Sequence, residues 1–213
     1  MPAVNPNMPW VAQRRVYGRH ICTYSIAFEG ELLAHAAYLS HHRVGQGATV
    51  YFESFEHRAA LEWVRKLVKA IRYTGQIAFD FIEEEGGCLY AIECNPRATS
   101  GIHLFGSGGE LVQAFLRPGM LRSTGDLLMP GTASSMLTVP MLTAGLTRIR
   151  SFHELRSWLQ AFHSARDVVY ARKDMLPYFE QMRVLLHVWR TSRSRRVTLT
   201  QATTIDMEWN GDA

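Results

Sequence analysis

Two carboxylates, a carboxamide and a guanidinium stand close together near the middle of the sequence. Asp80 lies in Gln76-Ile-Ala-Phe-Asp-Phe-Ile-Glu83, and Glu93, Asn95 and Arg97 lie in Ile92-Glu-Cys-Asn-Pro-Arg97. Residues 76–83 and 88–95 read as strands joined by Glu84-Glu85-Gly86-Gly87. A two-residue Gly86-Gly87 loop is favoured, because both positions can take positive φ. Counting back from it, Glu85 faces Cys88 and Asp80 faces Glu93. Strand side chains alternate between faces. Ala78, Asp80, Ile82, Ala91, Glu93 and Asn95 then share one face, and Ile77, Phe79, Phe81, Tyr90, Ile92 and Cys94 form the core-directed one. Like charges directly opposite each other destabilise a sheet. Burial raises that cost unless a proton or a cation intervenes. A hard divalent cation takes oxygen ligands of this kind, and Mg2+ combines one or two carboxylates with substrate phosphates. Mn2+ suits the same donors. Arg97, two residues past Asn95, offers a planar fork for phosphate or carboxylate. The competing reading is a polar sheet face with unrelated charges.

Other elements must position this hairpin. Residues 1–9 read as an irregular lead-in, and Trp10 to Gln13 as a short strand. Ile21 to Phe28 and Leu32 to Leu39 are strand-like and joined by a Glu29-Gly30 turn. A helix is expected over 56–74, where Leu61, Val64, Leu67, Val68 and Ile71 recur at helical spacing. Ser54 is its candidate N-cap and Gly75 its stop. Further helices are expected at Glu110 to Leu116, Phe152 to Phe162 and Pro177 to Trp189, with a threonine-rich strand at Val197 to Thr204. This order predicts an α+β fold, an antiparallel sheet covered by helices on one face. The expected division is residues 1–105 and a mainly helical extension, 106–213.

The bulk numbers narrow the classes. The chain has 213 residues, 47% hydrophobic and 20% charged, with a formal net charge of +4. That is an ordered, globular composition. The charge suits an anionic ligand but is too small to predict nucleic-acid binding. Cys22, Cys88 and Cys94 have no CxxC spacing, so thiols are expected rather than disulfides or a zinc site. Met1 to Trp10 lacks the pattern of a signal peptide, and no apolar run approaches a membrane span. A cytoplasmic protein is expected. Arg43-Val-Gly-Gln-Gly47 makes a candidate anion nest, with Arg43 toward a ligand. His41 and His42 read as solvated, and His103 as either facing the reacting groups or packing. Arg190, Arg193, Arg195 and Arg196 read as a solvated basic loop, and Asp206 to Asn210 as an exposed terminal strand.

The stretch from Gly75 to Asp80 through Ile92-Glu-Cys-Asn-Pro-Arg-Ala-Thr-Ser-Gly101 closely resembles the C-terminal metal-binding segment of ATP-grasp enzymes. Biotin carboxylase and the large chain of carbamoyl phosphate synthetase carry the same pattern. The resemblance implies that Asp80, Glu93 and Asn95 hold Mg2+ against ATP phosphates. It implies that Arg97 contacts phosphate or an acyl-phosphate intermediate. Trp10-Val-Ala-Gln-Arg-Arg-Val-Tyr-Gly18 is similar to the family's hinge strand, which implies adenine contacts from Gln13, Val16 and Tyr17. Arg14 stands where the family usually places an acid for the ribose hydroxyls. The resemblance covers residues 10–105 and lacks the family's N-terminal lobe, with its phosphate-binding lysine and glycine-rich flap. It implies the ATP-binding part of a ligase that joins a small-molecule carboxylate to an amine, as a homo-oligomer or with a partner chain supplying the lobe. The rival expectation is a non-catalytic binding or assembly module, or a fragment, that keeps the half-fold.

Overall fold

The computed structural model describes residues 13–40, 43–44, 48–106, 109–131 and 133–205. Strands β1 (Arg19–Phe28) and β2 (Glu31–Ser40) form an antiparallel hairpin. Its turn is Glu29-Gly30, with φ of 48° and 87°, as a primed two-residue turn requires. β3 (Arg43–Val44) and β4 (Ala48–Thr49) pair as a separate two-stranded sheet. Then come β5 (Tyr51–Phe55), helix α1 (Arg58–Ala70), β6 (Gly75–Glu83) and β7 (Leu89–Asn95). A 3-10 turn over Ser100–Phe105 leads to α2 (Gly109–Leu116) and α3 (Pro118–Thr124). β8 (Ser134–Met136), the one-turn α4 (Thr138–Pro140), a π-helical turn (Met141–Gly145), a 3-10 turn (Leu146–Arg148), α5 (Phe152–Ser164), β9 (Arg166–Asp167), α6 (Leu176–Arg195) and α7 (Leu199–Thr204) complete the order.

The main sheet runs β7-β6-β1-β2-β5-β8-β9 and is antiparallel except between β8 and β9. The fold is α+β, as the sequence implies, but helical segments lie on both faces rather than one. On one face, Ala60, Val64 and Val68 of α1 are fully buried against Ile21, Ile77, Phe79 and Phe81. Trp63 meets Phe79 and Phe81 edge-on, with centroids 5.2 and 5.1 Å away. On the other face, Leu104 of the 3-10 turn and Leu111 and Ala114 of α2 pack on Tyr24, Ala36, Tyr38 and Phe52. β8 and β9 therefore extend this sheet and α2 adds to its core.

Several local expectations are corrected. Of the short strand expected over Trp10 to Gln13 only Gln13 is described; Gln13 to Tyr17 is irregular, and regular pairing starts at Arg19. The N-cap of α1 is His57, whose Nδ1 accepts from the Ala60 amide at 3.0 Å. Ser54 is instead buried in β5, where its hydroxyl donates to the Gly131 carbonyl and accepts from the Ala133 amide. α1 ends at Ala70, and Gly75, at φ 130°, opens β6. Residues 199–204 are helix, not strand, begun by a capping box in which Thr198 and Gln201 satisfy each other's backbone amides. The basic cluster is not a loop. α6 continues to Arg195, and the Arg193 guanidinium lies 5.3 Å from the Trp189 ring centre. Asp206 to Asn210 and His41-His42 fall outside the described residues.

Candidate functional site

The β6–β7 hairpin differs from the simple count in two places. The Glu84 amide donates to the Cys88 carbonyl at 3.0 Å and the Gly87 amide to the Glu84 carbonyl at 2.8 Å. The loop is therefore the three residues Glu85-Gly86-Gly87, with Gly87 left-handed at φ 78°. Next to it, Glu83 pairs with Leu89, Ile82 with Tyr90 and Phe81 with Ala91. The register then shifts by one. Asp80 pairs with Glu93, Phe79 with Cys94 and Ala78 with Asn95, leaving Ile92 as the extra residue of a bulge. The expected Asp80–Glu93 and Ala78–Asn95 pairings are thus present, reached through two offsets that cancel. The face assignment near the loop is corrected. Tyr90 pairs with Ile82 and Ala91 with Phe81, so they exchange the faces expected for them. Ile92, 44% exposed, lines a cavity with Ile82 rather than the core. Cys94 is exposed as well, because β7 is the edge strand of the sheet.

Asp80 is partly buried, Glu93 exposed and Asn95 partly buried. The Asn95 side-chain amide donates to Glu93 Oε1 at 3.0 Å. That bond orients the carboxylate and leaves Asn95 Oδ1 as a further oxygen donor on the same face. Beyond the strand, the Arg97 amide donates to the Asn95 carbonyl at 2.8 Å. Its guanidinium is exposed and makes one hydrogen bond among the described residues, to the Ala98 carbonyl at 3.2 Å. Among the described residues no three His, Cys, Asp or Glu side chains gather as a metal cluster. The hairpin's donor set is two carboxylates and one amide oxygen, all hard ligands.

Strand order adds a neighbour that residue counting cannot supply. β1 lies between β6 and β2, and Cys22 pairs with Asp80 on one side and with Tyr38 on the other. Burial, followed by Cys22 and Asp80, pushes the Tyr38 phenol up, while a 3.4 Å contact with the Thr99 hydroxyl acts the other way. Tyr24, pushed up to about 12 by burial, donates to Gln76 Oε1 at 2.6 Å. The chain after Arg97 presses onto these two tyrosines. A Cβ at Gly101 would lie 2.4 Å from Tyr24 Cβ, so only glycine fits there. The three cysteines form no disulfide.

Gln13, Val16 and Tyr17, read as nucleotide contacts, line a cavity of about 410 Å3 together with His20, Ile82 and Ile92. This cavity opens on the Asp80 face of β6. Gly18 brings the segment there, because a Cβ at that position would lie 2.1 Å from the Glu83 carbonyl oxygen. Arg14 turns outward and pairs with Glu84 at 3.2 Å, and Glu84 also accepts from the Tyr90 hydroxyl at 3.2 Å. The Arg15 guanidinium lies 4.8 Å from the Tyr17 ring centre. Arg43 is part of β3, but its side chain is outside what is described. His103 sits away from the hairpin, against Phe52 with ring centres 6.3 Å apart. Burial, then Arg166, pushes its imidazole down. No helix among the described residues is long and apolar enough to cross a membrane.

No protein-family model and no curated protein matches the sequence. Among solved structures, the chain is similar to the biotin carboxylase domain of a single-chain bacterial carboxylase. Identity is 20% and the TM-score 0.42, over 56% of this chain and 32% of that one. It is also similar to the phosphoribosylaminoimidazole carboxylase ATPase subunit from Aquifex aeolicus, at 17% identity and a TM-score of 0.36, over 42% and 29%. The biotin carboxylase subunit of pyruvate carboxylase gives 23% and 0.32, over 38% and 20%. The chain spans about a third or less of the length of these three chains.

Proposed function

We propose that the Asp80 face of the β6–β7 hairpin holds a divalent cation against the phosphates of ATP. On this reading the chain is the Mg-ATP-binding part of an ATP-grasp type ligase joining a carboxylate to an amine through an acyl phosphate. The observation that carries it is the in-register pairing of Asp80 with Glu93, beside Asn95 and the Gln13–Tyr17 cavity. Asp80, Glu93 and Asn95 Oδ1 would hold Mg2+, with Mn2+ able to replace it. The cation would neutralise charge on the phosphate oxygens. Val16, Tyr17, Ile82 and Ile92 give the base apolar walls, and Gln13 gives it an amide to hydrogen-bond. Arg97, exposed at the end of β7, orients the transferred phosphoryl group or the carboxylate that receives it. Binding and positioning are what these side chains contribute, and no protein nucleophile is required. A lobe from a partner chain or a second copy would close the cleft, in the cytoplasm.

Calorimetry with Mg2+ and ADP on the chain and on Glu93→Gln tests this. Nucleotide affinity is expected to fall at least tenfold in the variant, and equal affinities would sink the metal assignment. A second reading, a non-catalytic binding or assembly module, is favoured by the Arg14–Glu84 pair, which stands where the family grips ribose. A well-folded chain that binds no nucleotide would support that reading.

A further inference from the structure

We propose a second ligand site, for a small anion carrying an apolar body, in a cleft at the other end of the main sheet. The inference stands independently of the Mg-ATP reading. The cleft measures about 980 Å3 and lies between the 3-10 turn, α2 and the segment that follows β9. Its size falls within the ordinary range of small-molecule pockets. Along the sheet, β9 is five strand spacings from β6, roughly 24 Å at about 4.8 Å per strand. A ligand held at β9 is therefore not held by the hairpin.

One wall is apolar. Val112 and Phe115 are successive residues on one side of α2, and they remain 49% and 44% exposed. Arg166, Arg172 and Lys173, from β9 and the segment after it, line the same cleft. The Asp174 amide donates to the Ala171 carbonyl at 3.0 Å. This closes a tight turn with Arg172 and Lys173 at its two central positions. Neither side chain makes an ion pair or hydrogen bond among the described residues. Arg166 donates one N–H to the His103 carbonyl at 2.6 Å, which fixes the guanidinium at the cleft wall with further donors to spare.

The lining offers little to neutralise these cations. Asp167 is its one carboxylate, and it is engaged with backbone. It accepts from the amides of Thr138 at 2.8 Å, Val169 at 2.7 Å and Tyr170 at 2.5 Å. Those bonds hold its carboxyl below the usual range despite desolvation. Three cations and two exposed apolar side chains lining one concave cleft favour an anion with an aromatic or branched body. A phosphate or a carboxylate headgroup fits equally. A cationic ligand of the same shape is disfavoured.

Titration of the full chain, followed by NMR and calorimetry, tests this with phenyl phosphate and phenylacetate as probes. Phenethylamine is the cationic control and inorganic phosphate the headgroup alone. One of the aromatic anions is expected to bind saturably at one site, and phenethylamine is not. Replacing both Arg172→Gln and Lys173→Gln, on an exposed turn, should weaken the anion at least tenfold with an unchanged melting temperature. Phe115→Ser should weaken the aromatic anion but leave inorganic phosphate as it was. Asp80→Asn should change neither. The proposal is overturned if no aromatic anion saturates, if phenethylamine binds as well, or if the double variant binds normally. Loss of the anion in Asp80→Asn would place it at the hairpin and overturn the proposal equally.

Discussion

Replacing Asp80 by asparagine is expected to stabilise the metal-free protein and remove its response to Mg2+. Paired residues in an antiparallel sheet have Cβ atoms about 4.5–5.5 Å apart. Two carboxylates at about 5 Å repel by roughly 0.8 kcal/mol in bulk water and roughly 3 kcal/mol at an effective dielectric of about 20. Asp80 is partly buried and Glu93 exposed, so the lower part of that range applies. The Asn95 amide on Glu93 offsets part of it. A net gain of about 1 kcal/mol follows for Asp80→Asn, or about 2–4 °C in melting temperature for a chain of this size. Mg2+ at about ten times its dissociation constant would add about 1.4 kcal/mol to the wild-type protein. The two proteins should therefore change rank, the variant melting higher in EDTA and the wild type gaining selectively in Mg2+. Scanning calorimetry with EDTA and with MgCl2, at low salt and at about 1 M NaCl, reads all of this. High salt should shrink the EDTA difference, since the screening length falls to about 3 Å. A variant that melts lower than wild type in EDTA would refute the unrelieved repulsion. Equal Mg2+ shifts in the two proteins would refute the cation site.

Gly18→Ala should lower the thermal midpoint by the equivalent of about 1–3 kcal/mol, because its Cβ meets Glu83 backbone atoms that cannot move aside. Gly86→Ala, with nothing within 4 Å, should shift stability by under about 0.5 kcal/mol, and similar losses in both would contradict the close approach. His35 is buried on β2, its ring bonded to Ser25 of the neighbouring β1 at 2.9 Å, and is pushed down to about 4 by burial, then by Arg65 and His57. Its folded value lies below the unfolded 6.5, so the unfolded chain binds the extra proton between those values and stability falls as the pH drops through them. Urea midpoints from pH 7 to pH 4 should show about 3 kcal/mol more loss in wild type than in His35→Asn, and parallel profiles would contradict the burial effect.

The sequence makes some of this readable for definite reasons. Glu29-Gly30 announces the first hairpin, and the apolar spacing from Leu61 to Val68 announces α1 and its buried face. The strand order β6-β1-β2 leaves no trace in the sequence, so Cys22 beside Asp80 could not be foreseen. β8 and β9 have three and two residues, too few to show alternation. The threonines of 197–204 favour strand by propensity, yet one capping box is enough to start a helix there. Ser54 looks like a cap by its position before α1, but its hydroxyl is committed to the Gly131–Ala133 chain. Arginines in 190–195 read as loop by charge, although arginine is a good helix former and simply prolongs α6.

The hairpin's loop and bulge have a consequence for how such sites can be recognised. Twelve residues lie between Asp80 and Glu93 in the chain, and that count is not what places the acids together. A two-residue loop would leave Glu84 opposite Cys88, and loss of Ile92 would leave Glu93 opposite Asp80. Each change shortens the interval by one and preserves the rung of the ladder on which both acids stand. Insertions and deletions can therefore accumulate at either point without cost to the pair. A search for these acids at a fixed interval would overlook chains whose two strands still bring them face to face.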